Sequence, residues 1–149
     1  MNDDDLEGLK TALMNAAFDP GMWVEAVDRA AEWAGAKGGV LMPIRSRFPG
    51  VPVSAVLEEN SRIYFRDQWH LHDERDKGIP QLARTGLFFD QDIMSPESIR
   101  KSAYYNDFLI KNSCLWSGVL GVHSEDEFFG LVLNRGVTDD PIRIATANA

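Results

Sequence analysis

Apolar residues recur at helical spacing over the first quarter of the chain. Leu6, Leu9, Leu13 and the Ala16/Ala17 pair fall on one side of a helix that opens on Asp3, Asp4 and Asp5, acids that suit the positive end of a helix dipole. A second helix starts with Asp19 as N-cap and Pro20 at the first helical position. Trp23, Ala26, Val27, Ala30, Trp33 and Ala34 share its apolar face, Glu25, Asp28, Arg29 and Glu32 its polar one, and Gly35 stops it. The pattern then changes to strand-like runs over residues 39–44 and 51–57, separated by a turn containing Pro49-Gly50. They predict an antiparallel hairpin.

Residues 61–76, SRIYFRDQWHLHDERD, form the most aromatic and most histidine-rich stretch. At about 100° per residue, one helix over this stretch places Tyr64, Phe65, Gln68, Trp69, Leu71 and His72 on one face. Arg62, Arg66, Asp67, His70 and Asp73 fall on the other. A core helix would use aliphatic residues, so the aromatic face with polar edges predicts a wall of a small-molecule pocket. Beyond it, residues 77–80 break regularity and 86–89 predict a short strand. Ser95 with Pro96 predicts a capped helix running to about Lys111, with Tyr105, Phe108 and Leu109 on its apolar side. Residues 115–123 and 128–134 predict a second hairpin around the polar turn 124–127, and residues 141–149 are weakly helical at best.

This order predicts one α+β domain over residues 1–149, with a central antiparallel sheet of about five strands flanked by helices. Residues 1–36 supply the N-terminal helices, 37–135 the sheet and central helices, and 136–149 a tail. Length adds that 149 residues suffice for a real core. The formal net charge of −8 argues against direct nucleic-acid binding, which needs clustered Lys and Arg. The densest basic spot, Arg45 to Arg47, lies in the turn. No apolar run approaches a membrane span, the acidic N-terminus lacks the features of a secretory signal, and the single Cys114 allows no intramolecular disulfide. The expectation is a cytoplasmic protein.

Several local patterns carry a resemblance. They are Trp23 with Ala26 and Ala34-Gly35-Ala36, then Tyr64 and Trp69 with Asp73, then Tyr105-Asn106-Asp107-Phe108-Leu109, and finally Gly130-Leu131-Val132-Leu133-Asn134-Arg135. Together, over about residues 6–135, they resemble the N-terminal PAS/GAF-like sensor domains of LuxR-type transcriptional regulators. That resemblance implies five or six antiparallel strands between helices and a small molecule held between sheet and helices. Tyr64, Trp69 and Asp73 are similar to the Tyr…Trp…Asp pattern that grips acyl-homoserine lactones, at a shorter spacing. Such regulators continue into a helix-turn-helix domain. The expectation is therefore an isolated sensor piece or a stand-alone protein without that output domain.

The candidate ligand-binding residues are Tyr64, Phe65, Trp69, His72, Asp73 and Trp116, with the ligand unnamed and no cofactor assigned. On the last hairpin, Ser117 and His123 share a strand face with Leu115 and Val119, whereas Trp116 and Leu120 share the other. The more apolar Trp116 set is expected to face the pocket, with His123 outward. His72 and Asp76, one helical turn apart, form a candidate polar anchor or a helix-end ion pair. On a helix, His70 and His72 point about 160° apart, so no shared metal ion is expected. No nucleophile elbow or phosphate loop is present, and Cys114 reads as a buried thiol. The sequence therefore favours a ligand-binding sensor, not an enzyme, working as a homodimer through Leu6, Leu9 and Leu13. An interaction module with a filled core, and a small enzyme using His72 and an acid, are the alternatives.

Overall fold

The computed structural model of the chain describes residues 3–123 and 126–143, and of Leu6 the backbone alone. Two helices come first, α1 (Asp3–Phe18) and α2 (Trp23–Ala34). Between them Asp19 accepts from the Gly21 amide and Pro20 opens a single 3-10 turn, so the predicted start is a 3-10 turn that runs into α2. Gly35 ends α2 in the left-handed region at φ 67°, the conformation that favours glycine at this position.

Four antiparallel strands follow in the spatial order β1-β4-β3-β2, with β1 Gly38–Pro43, β2 Leu87–Phe89, β3 Ser117–His123 and β4 Phe128–Asn134. The expected fifth strand is reduced to one bridge, Val40 with Val53. The Leu41 amide donates to the Pro52 carbonyl and the Ser54 amide to the Gly39 carbonyl, both at 2.9 Å. Pro52 has no N–H to extend the ladder, and the chain turns into a 3-10 helix at Ala55–Leu57. The predicted first hairpin thus shrinks to this bridge, and β1 takes β4 as its main partner. The second hairpin forms as expected, although Ser124 and Glu125 of its turn lie outside the described residues, as do residues 144–149 of the tail.

Both faces of the sheet are covered. On one face Leu41, Leu131, Leu133, Leu120 and Phe129 pack with Leu9 of α1 and Val27, Ala30 and Ala31 of α2. The Leu9 side chain is buried within the chain against α2 and the sheet, and Leu13 is partly buried in the same layer. The Leu6 side chain lies outside what is described.

The other face carries the row Val40, Val132, Val119 and Phe88, paired across all four strands. Over it lie α3 (Glu58–Arg66), α4 (Ile79–Thr85), α5 (Asp90–Ile93), α6 (Pro96–Lys101) and a π-helical segment Tyr104–Leu109.

The single helix expected over 61–76 is three pieces. α3 ends at Arg66, Gln68 is left-handed at φ 61°, and 3-10 turns run over Trp69–Leu71 and Glu74–Gly78. Asp73 starts the last of these by accepting from the Arg75 amide at 2.8 Å. This break lets Trp69 lie against Phe108, with ring centroids 5.9 Å apart. The helix expected to reach Lys111 is interrupted likewise. Ser95 caps α6 as predicted, α6 ends at Lys101, and the widened π turn directs Tyr104, Tyr105, Phe108 and Leu109 into the core. Among the described residues no helix is long and apolar enough to cross a membrane.

Candidate functional site

A cavity of about 100 Å³ lies between this second sheet face and its helical cover. Its floor is the row Val40, Val132, Val119 and Phe88; Leu57, Phe108 and Leu109 close the roof, and Ile79 and Leu82 stand at one side. The walls are thus mainly aliphatic and aromatic, with polar side chains gathered in a few places.

The first polar group joins three chain segments. Arg47 enters from the turn after β1, Tyr64 from α3, and Asp73 and Asp76 from the 3-10 turn beyond it. The Tyr64 hydroxyl donates to Asp73 Oδ2 at 2.7 Å and accepts from Arg47 Nη1 at 3.0 Å. Arg47 also reaches Asp73 Oδ2 at 3.4 Å and, through Nη2, Asp76 Oδ1 at 2.5 Å. Arg47 and Asp73 retain only 12% and 11% of their side-chain exposure, against 45% for Asp76.

Burial pushes the Tyr64 hydroxyl well above its ordinary range, and the Asp73 charge adds to this, so Tyr64 remains a neutral donor. Burial also pushes Asp73 up, against the lowering pull of Tyr64, Arg75 and Arg47. For Arg47 burial opposes the charge, but the neighbouring carboxylates of Asp76 and Asp73 outweigh it and hold the guanidinium above its usual value.

The second polar group is almost wholly buried. Arg75 donates from Nε to Asp90 Oδ1 at 2.9 Å, from Nη2 to Asp90 Oδ2 at 3.3 Å and from Nη1 to Asn134 Oδ1 at 2.9 Å. Its Nη2 also reaches the Leu115 carbonyl at 3.1 Å. Asp90 additionally accepts from the Tyr105 hydroxyl and the Ser117 amide. With Asp90 at 0% exposure and Arg75 at 7%, this pair is stable only because nearly every donor and acceptor is used. It ties the 3-10 turn after α3 to α5, the π segment and the start of β3. Arg75 and Asn134 line the cavity; Asp90 stands behind them.

Tyr104 differs from these residues. It is 3% exposed and lines the cavity, and no described residue hydrogen-bonds its hydroxyl. Burial raises that hydroxyl well above its ordinary value, with the Asp73 charge next in effect, so it too is a neutral donor. Cys114 also lines the cavity, with Asn60 Nδ2 3.4 Å from its sulfur; burial pushes this thiol up.

Of the six residues singled out from sequence, Tyr64 and Asp73 line the cavity and touch each other. Phe65 packs edge-on against Tyr64, with centroids 5.1 Å apart, and supports it from outside the lining. Trp69 stacks on Phe108 and so backs the roof. Trp116 packs half-buried against the same core, and His72 is exposed on the surface. Asp76 pairs with Arg47 instead of His72. The expected orientation of β3 is reversed. Val119 faces the cavity, while Leu120 faces α1 and α2, because the more apolar set of side chains goes to the dry helix–sheet layer. His123 therefore shares the cavity-side face of the sheet with Val119, not the face away from it, but at the exposed end of β3, where it stacks on Phe128.

Sequence reasoning missed Arg47, Arg75, Asp90 and Tyr104. Only Asn134 left a usable signal, a polar residue at the end of an apolar strand on the same face as Val132. Among the described residues no group of three or more His, Cys, Asp or Glu is placed to hold a metal ion. No protein-family model, curated protein or solved structure matches the chain.

Proposed function

We propose that the chain is a ligand-sensing domain of a bacterial-type transcriptional regulator, PAS/GAF-like and similar to LuxR-type sensors, which holds a small molecule between sheet and helices. One observation carries this reading. The cavity lies between the sheet and its helical cover, with apolar walls and hydrogen-bonding side chains in a few places, the usual make-up of a small-molecule site. Tyr64 and Asp73, two members of the residue pattern behind the resemblance, meet at its polar end. The reading assigns binding, not turnover, to the site.

Signalling on this reading is a shift between packings of the helical cover on the sheet. A ligand touching Val132 and Val119 loads the same strands whose alternate residues, Leu131, Leu133 and Leu120, seat α1 and α2. Met14 and Phe18, 65% and 90% exposed on α1, lie where such a shift would reach a dimer partner or a following domain. Contact with DNA belongs to that other domain.

The test is a thermal-shift screen of small molecules against the chain and a Val132→Phe variant, which fills the cavity floor. Compounds that stabilise the parent and leave the folded variant unmoved support the reading. Hits that stabilise both equally, or no hits in a broad screen, favour an interaction module instead.

A further inference from the structure

The charges around the cavity are already paired. Arg47 is held by Asp73 and Asp76, and Arg75 by Asp90, so among the described residues lining the cavity no unpaired cation is left to receive an anionic ligand. A cationic ligand would have to draw a carboxylate away from its arginine. Bringing an unpaired charge into such a site is strongly unfavourable. The Tyr64–Asp73 pair is occupied as well, since the Tyr64 proton is given to Asp73, its oxygen receives Arg47, and the second Asp73 oxygen receives the Arg75 amide.

Apart from the weakly donating Cys114 thiol, two neutral donors are left among the described cavity-lining residues that are themselves buried. The charges of Asp73 and Arg75 act on the Tyr104 hydroxyl, and both of these residues line the cavity with it. Among the described residues it has no hydrogen-bond partner. Asn134 Oδ1 accepts from Arg75 Nη1, and no described residue accepts from its Nδ2. Neither donor atom is fully sealed off, so each is open to an acceptor that enters the cavity.

We infer that the cavity takes a small, uncharged, mainly apolar molecule bearing a carbonyl or ether-type acceptor, and that the Tyr104 hydroxyl is the donor that recognises it, with the Asn134 amide a second donor on the lining. The inference rests on the proposed ligand-sensing reading and narrows it. The body of such a molecule lies on Val40, Val119 and Val132, beneath Phe108. The cavity of about 100 Å³ suits a five-membered ring or a short branched chain, since an apolar protein cavity of roughly 150 Å³ holds benzene. Tyr64 and Asp73 then serve to fix the walls instead of meeting the ligand's polar atom.

Four probes of near-equal shape separate the alternatives. They are cyclopentanone, methylenecyclopentane, cyclopentanecarboxylate and cyclopentylammonium, each titrated into the 15N-labelled chain and its Tyr104→Phe variant while the amide shifts of Val119 and Val132 are followed. Cyclopentanone is expected to bind about tenfold more tightly than methylenecyclopentane, as one net hydrogen bond gives. The two ions are expected to bind more weakly than either. In Tyr104→Phe the ketone is expected to lose its advantage while the hydrocarbon keeps its affinity.

A carbonyl-13C label on the ketone supplies a readout that does not depend on the variant folding. Its bound resonance is expected to stay near the value in water and not to move to the value in hexane. Equal affinity for ketone and hydrocarbon, a ketone advantage that survives in Tyr104→Phe, a hexane-like carbonyl shift, or tighter binding of either ion overturns the inference and leaves the sensor reading standing. If none of the four probes moves the cavity residues, both fall.

Discussion

The Tyr64 hydroxyl donates to Asp73 Oδ2, nine residues further along the chain and beyond the helix break, at 2.7 Å. That bond joins the end of α3 to the start of the 3-10 turn beyond it and fixes one corner of the cavity. Tyr64→Phe removes the donor to Asp73 and the acceptor for Arg47 together, leaving two largely buried charged groups short of a partner. A loss of about 1–3 kcal/mol is expected, read as a lower urea midpoint with an unchanged denaturant slope.

The same carboxyl gives a pH dependence of defined sign. Burial raises the Asp73 pKa in the folded chain above its unfolded value. The folded state therefore binds the extra proton, and the stability tied to it is full below the unfolded pKa and lost as pH rises through the folded one. Asp73→Asn mimics the protonated form. Relative to the parent, its stability against urea should increase as pH is raised from 3 to 7. A change in the opposite direction would mean that pairing with Arg47 outweighs burial.

Asp90 anchors the cavity from behind. Asp90→Ala strands the Arg75 charge, together with the Tyr105 hydroxyl and the Ser117 amide. A loss of about 3–5 kcal/mol is expected, enough to unfold a marginal domain. Circular dichroism at 25 °C checks this. Asp76→Ala, at the half-exposed pair, should cost about 1 kcal/mol or less.

Gly78 lies directly beneath Phe88. A Cβ there would come within 2.4 Å of the ring, so Gly78→Ala forces Phe88 to move on the cavity floor. The expected cost is about 1–3 kcal/mol, with the largest amide shifts at Phe88 and its β3 neighbour Val119.

Cys114 reports on the cavity wall. Buried, with its thiol pushed up, it should react with iodoacetamide at pH 8 far more slowly in the native chain than in urea. A compound that fills the cavity should slow it further.

Much of the outer frame was legible in the sequence. Asp19-Pro20 and Gly35 bound α2 because caps act locally, and the alternation over residues 128–134 placed β4. Ser95 marked α6 for the same reason as Asp19. What failed depended on contacts distant in sequence. Trp69 completes its packing on Phe108 only when the helix breaks at Gln68, and no periodicity reveals that.

Pro52 did carry a signal, the missing N–H that shortens the fifth strand to a bridge. The Arg75–Asp90 pair carried none, because each residue looks like a surface charge until the fold brings them together. The orientation of β3 misled for a physical reason, since both of its faces are buried and the drier one took the more apolar set.

The most direct measurement is native mass spectrometry of the freshly purified chain, beside a denatured control and Val132→Phe. An occupied cavity gives a reproducible added mass that vanishes on denaturation and is missing from the folded variant. A bare chain in every sample, with cyclopentanone added at millimolar concentration and still no adduct, would contradict a ligand-binding site between sheet and helices.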